Sequence, residues 1–444
     1  MKWRHPGQLV VAGFAGVTVL GTVLLMLPVA SAEGQSTGVV PALFTAISAV
    51  CVTGLIVVDT PTYWSGFGEG VILGLIQIGG LGVMTLASVL AMLVARRLGL
   101  RMQLSAQAET KALGLGDVRQ VVGGVIRLSL AVEAVIAVLL ALRFGLGYDE
   151  PFGRAVYLGV FHSISAYNNA GFALYSDSLI GFATDPFICV PIIAGIIIGG
   201  LGFPVVLELL RRRRREGRGR PWSLHTRITL ATYGGLLVIG AATVTVTEWR
   251  NPATLGAMDL HHKLLVGLFH GVMPRTAGFN SLDVAQLEPT TLLLNDVLMF
   301  IGGGSAGTAG GIKVTTFALL AFVILAEIRG EPTVHVLNRR LPGQVQRQAL
   351  TVALLGVGTV MAGTFALLAM TSFKLDDVLF ETISAFGTVG MSTGITAKIP
   401  VAGQFVLMAL MFIGRLGPIT MASALAIRER PRRYELPEER PVVG

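Results

Sequence analysis

Charged residues are scarce in this chain of 444 residues, where Asp, Glu, Lys and Arg together account for 14%. A soluble domain carries roughly 25% charged residues, so the composition argues against a soluble protein. Hydrophobic residues account for 53%, and several apolar runs reach the roughly 20 residues that cross a hydrocarbon core. We therefore expect an integral membrane protein made of α-helices.

Cysteine is nearly absent, since the sequence has only Cys51 and Cys189, both in apolar segments. This excludes a disulfide framework and a cysteine metal cluster. Clustered nucleophiles, paired carboxylates and a nucleotide-binding fingerprint are missing too, so we expect neither an enzyme nor a covalent cofactor. His162 and His270 hold equivalent places in two repeats, but without further ligands they favour hydrogen bonds inside a helix over metal binding.

Eight apolar segments are long enough to span a membrane, and four shorter ones are not. The predicted spans are 8–30, 71–95, 121–145, 187–210, 226–247, 291–328 (interrupted), 347–371 and 404–427. The shorter runs at 40–50, 155–166, 263–272 and 377–386 fit re-entrant helices, which are tolerated at membrane depth where they line a cavity. Lys2 and Arg4 precede the first segment as they would a signal peptide, but its length favours a span.

Basic residues are concentrated on one side of this arrangement. Both ends of the chain and the connections 96–120, 211–227 and 329–347 hold most of the Lys and Arg residues. The asymmetry predicts a multi-pass protein of the cell membrane with both termini in the cytoplasm. The net charge of +8 therefore reflects topology and not nucleic-acid binding. The arginine run 211–215 fits either a stop-transfer anchor or a site for anionic lipid or an acidic partner.

One unit is repeated four times, because each short run leads into a loop with a glycine and then into a helix that opens with glycine. The loops are Cys51, Val52, Thr53 and Gly54 (loop 1); Asn168, Asn169, Ala170 and Gly171 (loop 2); Arg275, Thr276, Ala277 and Gly278 (loop 3); and Gly387, Thr388, Val389 and Gly390 (loop 4). Four units can surround one axis, and a ring of backbone loops inside a membrane is how a protein replaces the water around a monovalent cation.

The residue types of the loops agree with ion selection by backbone carbonyls. Glycine accepts positive φ without strain, as successive carbonyls aimed at one axis require. The short helices end at the loops, so their negative dipole ends favour a cation. No carboxylate ring occurs at the loops, which favours a monovalent ion over calcium or magnesium. An alternating-access carrier is the rival hypothesis, but such carriers show two inverted repeats with ionisable residues at the midplane.

The third unit departs from the others, because six of the ten residues from 302 to 311 are glycine. We call 302–311 the glycine-rich segment. A helix running through it would lose up to about 1 kcal/mol per glycine, so we expect a flexible break that acts as a gate below the loops. A close-packed glycine face is the alternative. The predicted gate residues are Gly302, Gly303, Gly304, Ser305, Gly307, Thr308, Gly310, Gly311, Lys313 and Arg415.

Lys313 and Arg415 are the cations deepest in the predicted spans, and ionisable groups there are functional candidates unless they snorkel to an interface. We expect Arg415 either to anchor the glycine-rich segment through its carbonyls or to add an electrostatic barrier. Asn168 and Asn169 either contribute side-chain oxygens to the loop or pack behind it. Asn295 and Asp296 near the outer start of the interrupted span, and Glu381 in the fourth short helix, could form structural pairs instead.

These four loops in register, with eight spans, resemble the Trk/Ktr/HKT superfamily of cation transporters over about residues 8–427. The chain looks closest to the membrane subunit of bacterial Ktr systems. The resemblance implies potassium uptake, since glycine in all four loops goes with potassium and serine in the first loop goes with sodium. A sodium-selective or potassium/sodium cotransporting member is the alternative. The resemblance also implies a homodimer on a ring of cytoplasmic nucleotide-binding subunits, potassium as the ion in the loops, and modulation by sodium.

The expected fold is all-α and membrane-embedded. Four span–pore-helix–span repeats, with eight transmembrane helices and four re-entrant pore helices in total, would surround one central pore with pseudo-fourfold symmetry. The predicted boundaries are 1–97, 98–215, 216–330 and 331–430 for the repeats and 431–444 for a short charged cytoplasmic tail.

Overall fold

The computed structural model describes residues 6–82, 85, 115–213, 222–337 and 339–417. Within them the chain is overwhelmingly helical, as the composition predicts. The α-helices are α1 (Pro6–Leu25), α2 (Val39–Val50), α3 (Thr60–Tyr63), α4 (Gly66–Gly82), α5 (Leu115–Gly147), α6 (Phe152–Asn168), α7 (Pro186–Leu201), α8 (Phe203–Arg213), α9 (Leu224–Thr247), α10 (Leu260–Val272), α11 (Pro289–Phe300), α12 (Val314–Ile328), α13 (Gly343–Met370), α14 (Leu375–Gly387) and α15 (Val401–Leu416).

Among the described residues, the two strands form a small antiparallel pair between α12 and α13. Strand β1 (His335–Val336) pairs with β2 (Arg339–Arg340), with His335 opposite Arg340 and Val336 opposite Arg339. Two residues per strand cannot form an independent sheet, so the pair serves as a turn between two long helices.

Three helices of the described chain are long and apolar enough to cross a membrane by themselves. They cover Val122–Gly147, Leu224–Thr247 and Gly343–Met370, which match the predicted spans 121–145, 226–247 and 347–371. Large apolar side chains stay exposed on their outer faces, as Val138 (57%) and Phe365 (76%) show. Such faces suit lipid and not water, so the fold is that of a multi-pass membrane protein.

The predicted span 187–210 consists of two helices, separated by a break that hydropathy did not indicate. Its two parts, α7 and α8, meet at a bend of 104°. Gly202 at the bend has φ +89°, a conformation that ends an α-helix and that glycine adopts without strain. Pro204 follows and lacks the N–H that would bond to the carbonyl of Gly200. The break therefore follows from a Gly-x-Pro sequence that hydropathy does not register.

The repeat organises the packing. Each of the long helices α1, α5, α9 and α13 packs against the short helix that follows it, namely α2, α6, α10 and α14. The phenylalanines aligned by sequence, Phe44, Phe161, Phe269 and Phe380, are all completely buried. Each unit thus has one buried aromatic ring in its short helix, nine or ten positions before the loop glycine.

Parts of several predictions lie outside the described residues. These are most of 83–114, including the end of the span 71–95; the residues 214–221 with part of the arginine run; and everything after 417, including the end of the span 404–427 and the tail. Among the described residues, α15 ends at Leu416 and is followed by Gly417 with φ +84°.

Candidate functional site

The four glycine loops form one closed ring. The glycine of each loop lies against the carbonyl oxygen of the residue that precedes the glycine in the next loop, so closely that an added Cβ would overlap it. The pairs are Gly54 with Ala170, Gly171 with Ala277, Gly278 with Val389, and Gly390 with Thr53. The contacts run from loop 1 to loop 4 and back to loop 1, so the loops surround one axis in chain order.

The backbone conformation is the same in all four loops, with positive φ at the second and the fourth residue. The fourth residue is the glycine in each case, and the second residues are Val52 (φ +56°), Asn169 (+60°), Thr276 (+70°) and Thr388 (+50°). Positive φ is costly for β-branched residues such as valine and threonine. The fold therefore holds loops 1, 3 and 4 against local preference, as is typical of functional sites, while asparagine in loop 2 adopts this conformation readily.

Serine side chains brace loops 1 and 4 in the same way. The Ser48 hydroxyl accepts a hydrogen bond from the Gly54 N–H at 3.1 Å, and the Ser384 hydroxyl accepts one from the Gly390 N–H at 3.1 Å. In loop 3 the glycine N–H, that of Gly278, bonds instead to the backbone carbonyl of Met273 at 3.5 Å. Asn168 and Gly387 are the last helical residues of α6 and α14, so loops 2 and 4 start one residue later than the spacing predicts.

The ring opens on one side into a cavity of about 320 Å³ lined by all four loop glycines. Two carboxylates also line it, Asp59 and Asp177. Asp59 accepts hydrogen bonds from the hydroxyls of Ser176 (2.6 Å) and Thr62 (2.7 Å), while Asp177 accepts one from the Gly181 N–H (3.0 Å). Sequence reasoning missed both, although they follow the glycines of loops 1 and 2 by five and six positions.

A buried polar network lies behind loop 2. The Asn168 amide donates to Gln77 Oε1 at 2.8 Å and to Glu133 Oε1 at 3.3 Å, and the Gln77 amide donates to Glu133 at 3.1 Å. Asn169 Oδ1 accepts a hydrogen bond from the Thr308 hydroxyl at 3.0 Å. Both asparagine side chains therefore pack behind the loop. Glu133 was not anticipated from the sequence, since one carboxylate within a long apolar run is a weak signal.

The glycine-rich segment is not helical and passes between α11 and α12, as its composition predicts. The Gly304 N–H bonds to the carbonyl of Gly200 at 2.7 Å, and the Thr308 N–H bonds to the carbonyl of Gly199 at 3.1 Å. The bend at Gly202 and the missing N–H of Pro204 leave these carbonyls at the end of α7 without their helical partners. The broken helix α7 is thus the structural support of the segment.

Three side chains near the segment have the contacts that matter most. Arg415 is almost fully buried, and its guanidinium donates to the carbonyl of Thr308 and, at 3.0 Å, to the carbonyl of Gly79. The Lys313 ammonium donates to the carbonyl of Ala309. The bond from Arg415 to the carbonyl of Thr308 is the contact with the glycine-rich segment that the sequence predicts as one of two roles for Arg415. The Ser305 hydroxyl instead bonds to Thr315 in α12 at 3.0 Å.

Arg275 of loop 3 is completely buried. Its Nη2 donates to the carbonyl of Gly302 at 2.6 Å, and its guanidinium lies over the ring of Tyr233 at 4.8 Å. The side chain therefore points away from the ring of loops and toward the glycine-rich segment.

His162, His270, Asn295 and Glu381 have structural partners, whereas no hydrogen bond or ion pair joins the Asp296 side chain to another described residue. His162 Nδ1 lies 2.8 Å from the carbonyl of Leu158 in its own helix, and His270 bonds to Asn295 at 3.2 Å. Glu381 accepts hydrogen bonds from the hydroxyls of Ser392 and Thr396. His162 thus makes the expected bond within its own helix, whereas the same prediction is wrong for His270, whose partner Asn295 lies in α11.

His261 and His262 lie in the first turn of α10. With Asp259 they bring three ligand-type atoms within 4.8 Å of one another. The positive end of a helix dipole opposes a cation at this position, and nothing else in the described structure points to a ligand there.

Comparison with known proteins gives a consistent result. A family model described as a cation transport protein, TrkH, matches residues 1–433. The chain is 38% identical to the Ktr system potassium uptake protein B of Bacillus subtilis, covering 97% of this chain and 95% of that one. It is 33% identical to the potassium/sodium uptake protein NtpJ of Enterococcus hirae, covering 100% and 98%. The crystal structure of the potassium transporter TrkH from Vibrio parahaemolyticus superposes with a TM-score of 0.75 at 17% identity, covering 96% of this chain and 86% of that one.

Proposed function

Since this chain belongs to the TrkH family of cation transport proteins, we propose that it takes up potassium through a channel-like pore on the axis of the four loops. In this proposal the eight predicted spans and four re-entrant helices form four repeats around the pore, in a cell membrane with both termini in the cytoplasm. Potassium as the substrate is supported by relatives that are named as potassium uptake proteins and that this chain matches over nearly their full length.

The closed ring of backbone contacts is the observation that carries the proposal. Each loop presents carbonyls and a glycine to its neighbour, and the loop residues themselves place no side-chain charge on the axis. Neutral carbonyl oxygens replace the hydration shell of a monovalent ion, while calcium and magnesium prefer carboxylate oxygens. The C-terminal ends of α2, α6, α10 and α14 meet at the ring, which adds a favourable potential for a cation.

The glycine-rich segment is the proposed gate. It is held by the carbonyls of Gly199 and Gly200 and by the side chains of Asn169 and Arg415. Individual hydrogen bonds of this kind can break without loss of the others, and glycine gives the backbone many alternative conformations. Arg415 anchors the segment in the closed state in this proposal, and Lys313 stabilises its second half.

Sodium transport, alone or with potassium, is the second candidate, and the relative named as a potassium/sodium uptake protein supports it. Gly54 in loop 1 favours potassium, because any side chain there would overlap the carbonyl of Ala170 and disturb the ring. Modulation by sodium is part of the same proposal.

Regulation is proposed to come from a separate cytoplasmic subunit that binds the nucleotide, with the membrane chains forming a homodimer on a ring of such subunits. Three relatives are named as proteins of a Ktr system, which suits a protein that works with others. The basic cytoplasmic segments, which include Arg211 and Arg212, would contact this partner or the headgroups of anionic lipids.

The test is flux into liposomes that contain the purified chain alone, with potassium, rubidium, sodium and lithium compared. We expect selective potassium and rubidium flux, and higher flux after deletion of part of the glycine-rich segment. Flux dominated by sodium would contradict potassium as the substrate and would favour the second candidate function, sodium transport. Unchanged flux in a folded deletion variant would contradict the gate, and the absence of flux in both proteins would contradict the pore.

A further inference from the structure

Unit 3 differs from the other units at two places that meet in space. The position taken by Arg275 in loop 3 is taken by Cys51, Asn168 and Gly387 in the other loops, so only unit 3 has a cationic side chain there. Unit 3 is also the one whose second helix is interrupted by the glycine-rich segment. The Arg275 guanidinium donates to the carbonyl of Gly302, the first residue of that segment, at 2.6 Å.

In the other three units a direct backbone contact joins the loop to the second helix. The helix glycines Gly79, Gly199 and Gly414 lie against the carbonyl oxygen of the residue before the loop, in Val50, Tyr167 and Phe386 respectively. The equivalent Gly302 lies instead against the carbonyl of Gly310. The direct contact is therefore missing in unit 3, and the Arg275 side chain bridges the two elements in its place.

The surroundings of Arg275 are unusual for a merely structural arginine. The side chain is completely buried and faces the Tyr233 ring at 4.8 Å, and no carboxylate pairs with it among the described residues. Nε and Nη1 have no hydrogen-bond partner in the described part of the chain. Burying a charge with one carbonyl partner and one aromatic face is expensive, so a neutral side chain would be less costly at this position unless the guanidinium has a role beyond packing.

We infer that Arg275 is a positioning residue that couples loop 3 to the glycine-rich segment, so that the state of the proposed gate and the ion selectivity of the ring depend on each other. The inference rests on the proposed function. Displacing Gly302 would pull on a side chain whose backbone lies in the ring, next to Thr276 with its positive φ. Conversely, an ion that fits the ring poorly would shift loop 3 and weaken the bond to Gly302.

The experiment compares Arg275→Met with Arg415→Met, since both arginines bind carbonyls of the glycine-rich segment. Arg415 bridges to the carbonyl of Gly79 in α4 and not to a loop, so it is a matched control. We expect both variants to raise flux into liposomes. Only Arg275→Met should also lower the potassium-to-sodium flux ratio, on the order of tenfold for a coupling of this kind. An unchanged ratio in Arg275→Met would overturn the inference.

A second measurement needs no flux and so separates this inference from the proposed function. The reaction rate of Ser305→Cys with a thiol reagent reports the state of the glycine-rich segment, because the native Cys51 and Cys189 are buried. We expect the rate to differ between potassium and sodium, and Arg275→Gln or Arg275→Met to remove the difference. Equal rates in the two ions with Arg275 intact would overturn the coupling, even if potassium-selective flux is observed.

Discussion

Gly390 lies directly against the carbonyl of Thr53, so the last glycine loop of the chain meets the first. The other three contacts join loops 1 to 4 in a row, and this fourth contact closes the row into a ring. It also means that four loops from one chain are sufficient, because each loop has a neighbour on both sides. The expectation of one axis per chain, drawn from repeat spacing, has its geometric basis here.

Gly54→Ser is predicted to reduce the potassium-to-sodium flux ratio by about tenfold, which corresponds to about 1.4 kcal/mol. Gly54 has φ +90°, and a Cβ would overlap the carbonyl of Ala170. The neighbouring loop must therefore move away from the axis. Ion-flux ratios of the purified variant in liposomes measure the effect.

Gly394→Ser is the matched control for backbone strain. Gly394 has φ +88°, but a Cβ there meets nothing within 4 Å. Both variants bear the cost of positive φ, roughly 1–2 kcal/mol, and both should lose thermal stability. An equal loss of ion selectivity in the control would show that strain, and not the contact between loops, is responsible.

Gly202→Ala is predicted to raise flux several-fold. The new Cβ would lie 2.5 Å from the carbonyl of Ser305, so the glycine-rich segment must shift away from the end of α7. Gly417→Ala is the control, since Gly417 has φ +84° and open space around it. Equal flux in the two variants would contradict the role of the α7 bend in supporting the segment.

Glu248→Gln is predicted to destabilise the protein at neutral pH by about 1–3 kcal/mol, as for hydrogen bonds to a charged group. Burial alone would raise the pKa of Glu248, but hydrogen bonds from Thr291, Thr254, the Glu288 N–H and Asn251 outweigh it and hold the pKa below its ordinary value of 4.5. Glu248 follows α9 and ties it to the start of α11.

The pH dependence of the melting temperature tests this assignment. Because the folded pKa lies below the unfolded one, the stabilisation is fully present above about pH 4.5 and is lost as the pH falls through the folded value. We expect the Gln variant to show a smaller loss over that range than the native protein. Glu33→Gln, at an exposed site, should follow the native curve, and identical curves for all three proteins would rule out Glu248.

Much of the architecture was predictable because repetition adds information that a single segment lacks. One loop such as 51–54 is a weak signal, but four loops that each follow a buried phenylalanine by nine or ten positions define a unit. The break at the glycine-rich segment was predictable from composition, because few helices tolerate six glycines in ten residues.

The contacts that determine the site in detail were not predictable. Asn168 donates a hydrogen bond to Glu133 of α5, and Arg275 donates one to the carbonyl of Gly302. Neither pair of residues can be identified from spacing in the sequence. The bend at Gly202 was hidden because a window of mean hydropathy averages over one glycine and one proline. Polar partners of this kind depend on where the helices cross, which is a property of the packed structure.

Replacing Asp59 and Asp177 together by Asn is predicted to lower potassium flux by about threefold at low ionic strength. Both carboxylates line the cavity above the ring and raise the local cation concentration, while Asn keeps the acceptor oxygens for Ser176 and the Gly181 N–H. The effect should vanish near 1 M salt, where the screening length falls to about 3 Å. Glu33→Gln removes an exposed charge that does not line the cavity and should leave the flux unchanged. A loss that persists at high salt would mean that the carboxylates shape the cavity through their hydrogen bonds, and would contradict attraction of the ion by their charge.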